Sequence, residues 1–380
     1  MNDRIYLDYA STTPVDSRVL SAMEPYWNED FFHPRSLHSD GKSVEEVIDE
    51  ARHVIGHALG MQGYVGEVDF VFTSSGTESN TLALRGLLDS FSDEECAGKR
   101  VILSAIEHPS VADIKKYAEK RGMEVVLIPI DAEGIIDISA FKDALNDETL
   151  LVSVQLVNSE IGTIQPVREV VKETRKMDGR IYVHTDASQA WLWQSIDVEK
   201  LGVDLLTVDA HKMYGPKGIG GLFIKKDVSI EPLFLGSEKS YRSGTPPIPL
   251  IIGFREAVEI AEAERGEYSA SISRLRDVLI QNIQTQFPQA TINGSLEKRV
   301  PGNVSISFPS TNHEFLQMRL DEAGISVATR SACLESGGEG SFVISELPGG
   351  SQREALRVTL GKETTEGEVE RFCEVLKKLF

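Results

Sequence analysis

Short apolar runs alternate with helix-period stretches through the middle of the chain. "VDFVF" (68–72) leads into "ESNTLALRGLL", "RVILSA" into "PSVADIKKYAEKRG", "EVVLIPI" into "DISAFKDAL", and "LLVSVQLV" into "VREVVKETRKM". "IYVHTDA", "DLLTVDA" and "IGGLFIK" follow. Buried strands that alternate with helices predict an α/β domain with a mainly parallel central sheet. "VEEVIDEARHVIGHAL" (44–59) repeats apolar positions at helical spacing and predicts an amphipathic helix. Past the proline-rich "GTPPIPL" the pattern changes. A long helical stretch (about 251–286), strand-like "NVSISF", the helix "HEFLQMRLDEAG", then "ISVAT", "ALRVTLG" and a terminal helix predict a smaller α+β domain. "LESGGEGSFVISELPGGSQRE", between Cys333 and Ala355, holds five glycines and predicts a mobile loop.

Length agrees with two domains, because 380 residues exceed the size at which one core usually splits. A net charge of −20 argues against non-specific nucleic-acid binding, which needs a Lys/Arg excess. That charge suits a basic partner protein or serves solubility alone. No run approaches 18 apolar residues, and the N-terminus has no basic region followed by an apolar stretch, so neither a membrane span nor a secretory signal is expected. Three scattered cysteines, Cys96, Cys333 and Cys373, make no disulfide framework and point to a reducing, cytoplasmic compartment.

Ligands of open α/β sheets bind at the carboxyl ends of strands. After "VDFVF" comes "TSSGTES", a Ser/Gly/Thr turn that opens a helix and offers N–H groups to an anion. The other strand ends carry His108, Asn158, Asp186 with Gln189, and the pair His211-Lys212. Singly, each has an ordinary explanation as a cap, turn or core residue. Together they are what pyridoxal phosphate needs: a helix N-terminus for its phosphate, a lysine for its aldehyde, an aspartate for its pyridine nitrogen, and a histidine on the ring. His53 and His57 stand four apart on a helix, but the glutamate of a zinc-protease motif does not follow His53. "GPKGIGG" lacks a following helix signal and reads as a tight turn.

The chain resembles the cysteine desulfurases of the class V aminotransferase family. "YLDYASTTPVD" (6–16), "FTSSGTESN" (72–80), "EHPSV" (107–111), "VNSEIGTIQP" (157–166), "HTDASQA" (184–190), "AHKMYGPKGIG" (210–220), "YRSGTPP" (241–247), "SACLES" (331–336) and "LRVTLG" (356–361) match in order. The resemblance implies a pyridoxal-phosphate fold type I homodimer. It implies a large domain over 14–255 and a small domain from 1–13 plus 256–380. It makes Lys212 the Schiff-base lysine, with Asp186 and Gln189 at the ring nitrogen and hydroxyl and His108 stacked on the ring. Gly76, Thr77 and His211 correspond to phosphate ligands, and Thr245 to a threonine that reaches the phosphate across the dimer. Asn158, beside the cofactor, and Arg357 correspond to groups that hold the substrate carboxylate. Cys333 corresponds to the sulfur-accepting cysteine. A thiolate suits that task, because it attacks sulfur well.

The implied activity is conversion of L-cysteine to L-alanine, with a persulfide passed to an acceptor such as an iron–sulfur scaffold or a tRNA-thiolation relay. A selenocysteine lyase, another class V aminotransferase or lyase, and an inactive partner of a sulfur-handling protein are the alternatives. The chain departs from the family pattern at three places. Asp209 stands where serine is usual, His33 stands where asparagine is usual before Pro34, and "LFLGSEKSYRSGT" keeps one glycine of a glycine run. Asp209 is expected to turn away from the phosphate and to weaken its binding.

Overall fold

The structure, a computed structural model, describes residues 4–63, 65–177, 179–236, 240–329, 341–350 and 354–380. A two-residue strand, β1 (Ile5–Tyr6), comes first. Seven strands then build the central sheet. They are β2 (Phe70–Thr73), β3 (Arg100–Ser104), β4 (Glu124–Ile128), β5 (Thr149–Ser153), β6 (Tyr182–Asp186), β7 (Leu205–Asp209) and β8 (Gly220–Ile224). Their order across the sheet is β2-β8-β7-β6-β5-β3-β4. β8 is antiparallel to both neighbours, and every other pairing is parallel. Six strands therefore share one direction. Every residue of β5, β7 and β8 is buried. That explains their mostly apolar character, since helices cover both faces of such a sheet.

The C-terminal region forms a second, antiparallel sheet from β9 (Thr291–Asn293), β10 (Asn303–Ser307) and β12 (Leu356–Thr359), in the order β12-β10-β9. β11 (Ile325–Ser326) pairs in parallel with β1, so the N-terminal segment belongs beside this region. An isolated bridge from Asp8 to Thr359 extends that attachment. The helix Ile248–Gln286, 39 residues long, runs unbroken through position 255. It packs against the helices Ser17–Met23, Ser39–Ala58 and Glu366–Leu379. One apolar cluster joins Phe70, Val152 and Leu206 of the central sheet to Val304, Leu356 and Phe372 of the C-terminal region.

One local expectation needs correction. The segment after Cys333 is not loop throughout, because a short helix, Phe342–Glu346, stands within it. Its "FVI" supplies Val343 and Ile344, which bury with Leu347 against Ile106, Ile130 and Ile161. Burial of these side chains outweighs the loop signal of the surrounding glycines. Cys333 itself lies outside the described residues.

Candidate active site

The shared strand direction brings the carboxyl ends of β2, β7, β6, β5 and β3 to one edge of the sheet. Gly76 and Thr77 follow β2, His211 and Lys212 follow β7, and Asp186 closes β6. Asn158 follows β5, and His108 follows β3. A cavity, partly open to solvent, lies there. Its walls include Gly76, Thr77, His108, Asp186, Gln189, His211, Lys212 and Arg357, together with Asp209.

Lys212 ends a 3-10 turn, Ala210–Lys212, directly after β7. Its Nζ donates to the carbonyls of Ala10 and Ser11, each at 2.8 Å. Two residues on, Tyr214 holds a positive φ of 64°, a strained conformation for an aromatic residue. The Thr13 hydroxyl fixes it by accepting the Tyr214 N–H at 2.8 Å. The segment 8–13 thus acts as a hub for the site. Ala10 also accepts from Gln189 Nε2 at 2.9 Å, and Thr12 Oγ1 meets His211 Nδ1 at 3.0 Å.

Asp186 is held at both oxygens. Oδ1 accepts the Ser188 N–H at 2.9 Å, and Oδ2 accepts from Asn80 Nδ2 at 2.7 Å. Arg357, on β12, reaches the cavity from the other sheet. Its Nη2 donates to Asp8 Oδ1 at 2.8 Å and Ser11 Oγ at 2.6 Å, and Nη1 donates to the Ser159 carbonyl at 3.2 Å. The buried Nε of Arg357 has no hydrogen-bond partner among the described residues. A buried, unpaired guanidinium donor suits an anionic ligand.

The phosphate end departs from expectation in its details. The helix Gly76–Asp89 is capped by Ser75, whose side chain accepts from Glu78 N–H at 3.3 Å. Asp209 Oδ2 accepts the Gly76 N–H at 2.7 Å and stands 3.4 Å from His211 Nε2. A carboxylate therefore already engages two groups expected to hold phosphate. Glu78 also points back, accepting the Ser74 N–H at 2.7 Å and pairing with Arg242 Nε at 3.2 Å. A Cβ built on Gly76 would lie 3.0 Å from Ser188 Oγ and 3.1 Å from Asp209 Oδ2, so the turn is shaped for a glycine.

Three expected residues lie elsewhere. Asn158 lines a smaller adjoining cavity with Gln189 and Lys212. Its amide serves the backbone, donating to the Ile106 carbonyl at 3.1 Å and accepting the N–H of Glu160 and of Ile161 at 2.8 and 2.9 Å. Thr245 is exposed and outside both cavities. His33 is exposed, and its Nδ1 accepts the Arg35 N–H at 3.2 Å. His53 and His57 bond locally, His53 Nδ1 with Val65 N–H and His57 Nε2 with the Gly63 carbonyl.

Beneath the site lie two buried titratable groups. Burial raises the Glu107 carboxyl well above its usual value, and the Asp186 charge adds to the shift. Glu107 Oε1 accepts the Gln155 N–H at 2.7 Å, while Oε2 is buried without a partner among the described residues. Burial pushes His184 down to about 4, partly opposed by the Asp186 charge. Sequence reasoning missed Asn80, Ser110 and the hub residues Asp8 to Thr12. Their only signal was membership of the quoted segments "FTSSGTESN", "EHPSV" and "YLDYASTTPVD".

The cavity fits pyridoxal phosphate at its ring end and fits it with one carboxylate in the way at its phosphate end. The fold and this set of residues define a class that the comparisons bear out. The family model described as Aminotransferase class-V matches residues 5–372, and the chain belongs to that family. The fold is pyridoxal-phosphate fold type I, and pyridoxal 5′-phosphate is the cofactor that goes with it. A relative named Cysteine desulfurase IscS 1, from Archaeoglobus fulgidus, is 42% identical over 376 residues, covering 98% of this chain and 95% of its own. Cysteine desulfurase IscS of Dictyoglomus turgidum is 38% identical and covers 100% of this chain and 95% of its own. A solved structure titled NifS-like protein superposes with a TM-score of 0.90 at 32% identity, over 99% of both chains.

Proposed function

We propose that the protein is a pyridoxal-phosphate-dependent cysteine desulfurase. It converts L-cysteine to L-alanine and leaves the sulfur as a persulfide on Cys333. The observation that carries this reading is the meeting of Lys212, Asp186, His108 and Arg357 around one cavity, in a chain whose full-length relatives bear that name. Bound there, pyridoxal phosphate supplies an aldehyde for amino groups and a ring that takes up electrons from the α-carbon.

The chain's own groups do the rest. Lys212 Nζ, at the cavity wall, would hold the cofactor's aldehyde end and is the amine placed to move the α-proton. Asp186, its carboxylate fixed by Ser188 and Asn80, holds a proton on the ring nitrogen. Arg357, with Asn158 near it, receives the substrate carboxylate. Gly76, Thr77 and His211 receive the phosphate, and Gln189 the ring hydroxyl. The Cys333 thiolate attacks the substrate sulfur. The Cβ–S bond breaks, an S–S bond forms, and the carbon keeps the electron pair and gains a proton, with His108 as acid/base.

The chain on either side of 330–340 supports this role for Cys333. Ala328 pairs with Arg357 in a bridge, and Ser341 Oγ donates to Glu160, in the turn after Asn158. Both attachments adjoin the cavity. The persulfide passes to an acceptor protein, an iron–sulfur scaffold or a tRNA-thiolation relay, in the cytoplasm. The working form is a homodimer in which Thr245 of one copy reaches the phosphate of the other. The two-domain division at 14–255 against 1–13 plus 256–380 belongs to the same proposal.

Borohydride reduction of the holoprotein followed by peptide mapping tests the lysine, and alanine analysis tests the reaction. The expected results are cofactor fixed on Lys212 and L-alanine formed from L-cysteine. Label on Lys217 instead, or no alanine from a cofactor-loaded protein, would sink the reading.

A further inference from the structure

Asn80 lies inside the helix Gly76–Asp89, almost wholly buried at the cavity wall. Both of its amide hydrogens are committed. One goes to Asp186 Oδ2 at 2.7 Å, the other to Ser110 Oγ at 2.9 Å. Rotating the amide by half a turn would set its oxygen against an acceptor-only carboxylate, so the assignment follows from the network. The cost is visible, because Asn80 Oδ1 is buried without a partner among the described residues. A buried unpaired acceptor is unfavourable and calls for an explanation. The amide is oriented for its neighbours and not for its own satisfaction.

The direction of the network continues to His108. The Ser110 backbone N–H donates to His108 Nδ1 at 3.2 Å, as His108 caps the short helix Pro109–Ala112. Nδ1 is therefore an acceptor and carries no proton. Ser110 Oγ lies 2.7 Å from that same Nδ1, so here the serine must be the donor. Ser110 accepts from Asn80 on one side and donates to His108 on the other.

We propose that Asn80 is a positioning residue: by giving one hydrogen to Asp186 and one to Ser110, it fixes the Asp186 carboxylate and holds His108 as its Nε2–H tautomer. The histidine can then exchange a proton with a ligand only through Nε2. Two groups on opposite duties, one at the ring nitrogen and one over the ring, are kept in register by a single side chain. This rests on the cofactor reading above for its purpose, but not for its test.

The experiment is nitrogen NMR of protein labelled with [15N]histidine, without substrate, with and without cofactor. His108 is assigned from the signal lost in His108→Gln. The wild type is expected to show His108 protonated at Nε2 and bare at Nδ1 at neutral pH. Ser110→Ala and Asn80→Ala should shift the tautomer ratio several-fold toward Nδ1–H, and Ser110→Thr, which keeps a hydroxyl, should restore it. In turnover Asn80→Ala should lower kcat by about tenfold with little change in KM, as a displaced acid/base group would. An Nδ1–H tautomer in the wild type would overturn the proposal even if no variant folds. So would an unchanged ratio in Asn80→Ala, whatever Ser110→Ala shows. A correct tautomer in a protein that makes no alanine would fault the desulfurase reading instead.

Discussion

Asp209 is the residue at which this chain is most its own. Its carboxylate takes the Gly76 N–H and sits near His211. Unit charges 4 Å apart interact by about 4 kcal/mol at an effective dielectric of 20, and a phosphate brings more than one charge. The carboxylate thus opposes the phosphate twice, by charge and by occupying a donor. Asp209→Ser should lower the cofactor dissociation constant by about tenfold or more, a gain near 1.4 kcal/mol. Paired titrations at fixed pH decide it; equal or weaker binding would give Asp209 a positive role. Glu107 supports a pH prediction. Burial raises its folded-state value above the usual 4.5, so the folded chain keeps a proton that the unfolded chain loses. The stability this contributes is complete below that usual value and declines as pH rises. Glu107→Gln keeps the acceptor for Gln155 and removes the decline. Its melting temperature should exceed that of the wild type by about 2 °C or more at pH 8, and by less at pH 5. At this scale the sequence showed the residues at strand ends, because strand ends are visible as the close of an apolar run. It did not show Asn80 or Ser110. An asparagine within a helix and a serine after His-Pro carry no periodic signal, and their meeting with Asp186 spans 106 residues of chain for Asn80.

The elements were legible where burial imposes a long pattern. β5 and β7 are buried end to end and mostly apolar because both faces are covered, and the helix Ser39–Ala58 spans the expected amphipathic stretch. Strand direction was not legible: "IGGLFIK" has the composition of its parallel neighbours, yet β8 runs against them. Its glycines explain how it fits. A Cβ on Gly220 would lie 2.7 Å from the Ser75 carbonyl carbon and 3.0 Å from Gly76 N. The start of β8 therefore packs directly beneath the turn that opens the phosphate end. Gly220→Ala should push that turn outward. We expect a loss of roughly 1–3 kcal/mol in stability, typical of overpacking, and weaker cofactor binding. Denaturant melts of apo- and holoprotein would measure both, and unchanged values would show that the turn yields freely. The helix Phe342–Glu346 was missed because five residues, three of them large and apolar, are too few to display a period.

At the scale of the molecule, one apolar cluster and the helix Ile248–Gln286 join the two sheets, and Arg357 crosses from one to the cavity of the other. The site is thus assembled from distant parts of one chain, and the proposal adds a part from a second copy. Exposed Thr245, away from its own cavity, is the reason to expect it. Two-fold closure is the usual form of such assemblies. Sedimentation under assay conditions should give a dimer, and Thr245→Ala should weaken cofactor binding while the dimer persists; a fully active monomer would contradict the shared site. The central claim divides the labour between Lys212 at the α-carbon and Cys333 at sulfur, and one variant separates them. Cys333→Ser, loaded with pyridoxal phosphate and mixed with L-cysteine, should still show the spectral change of substrate binding while forming neither persulfide nor L-alanine. Alanine produced at the wild-type rate by that variant would contradict the account.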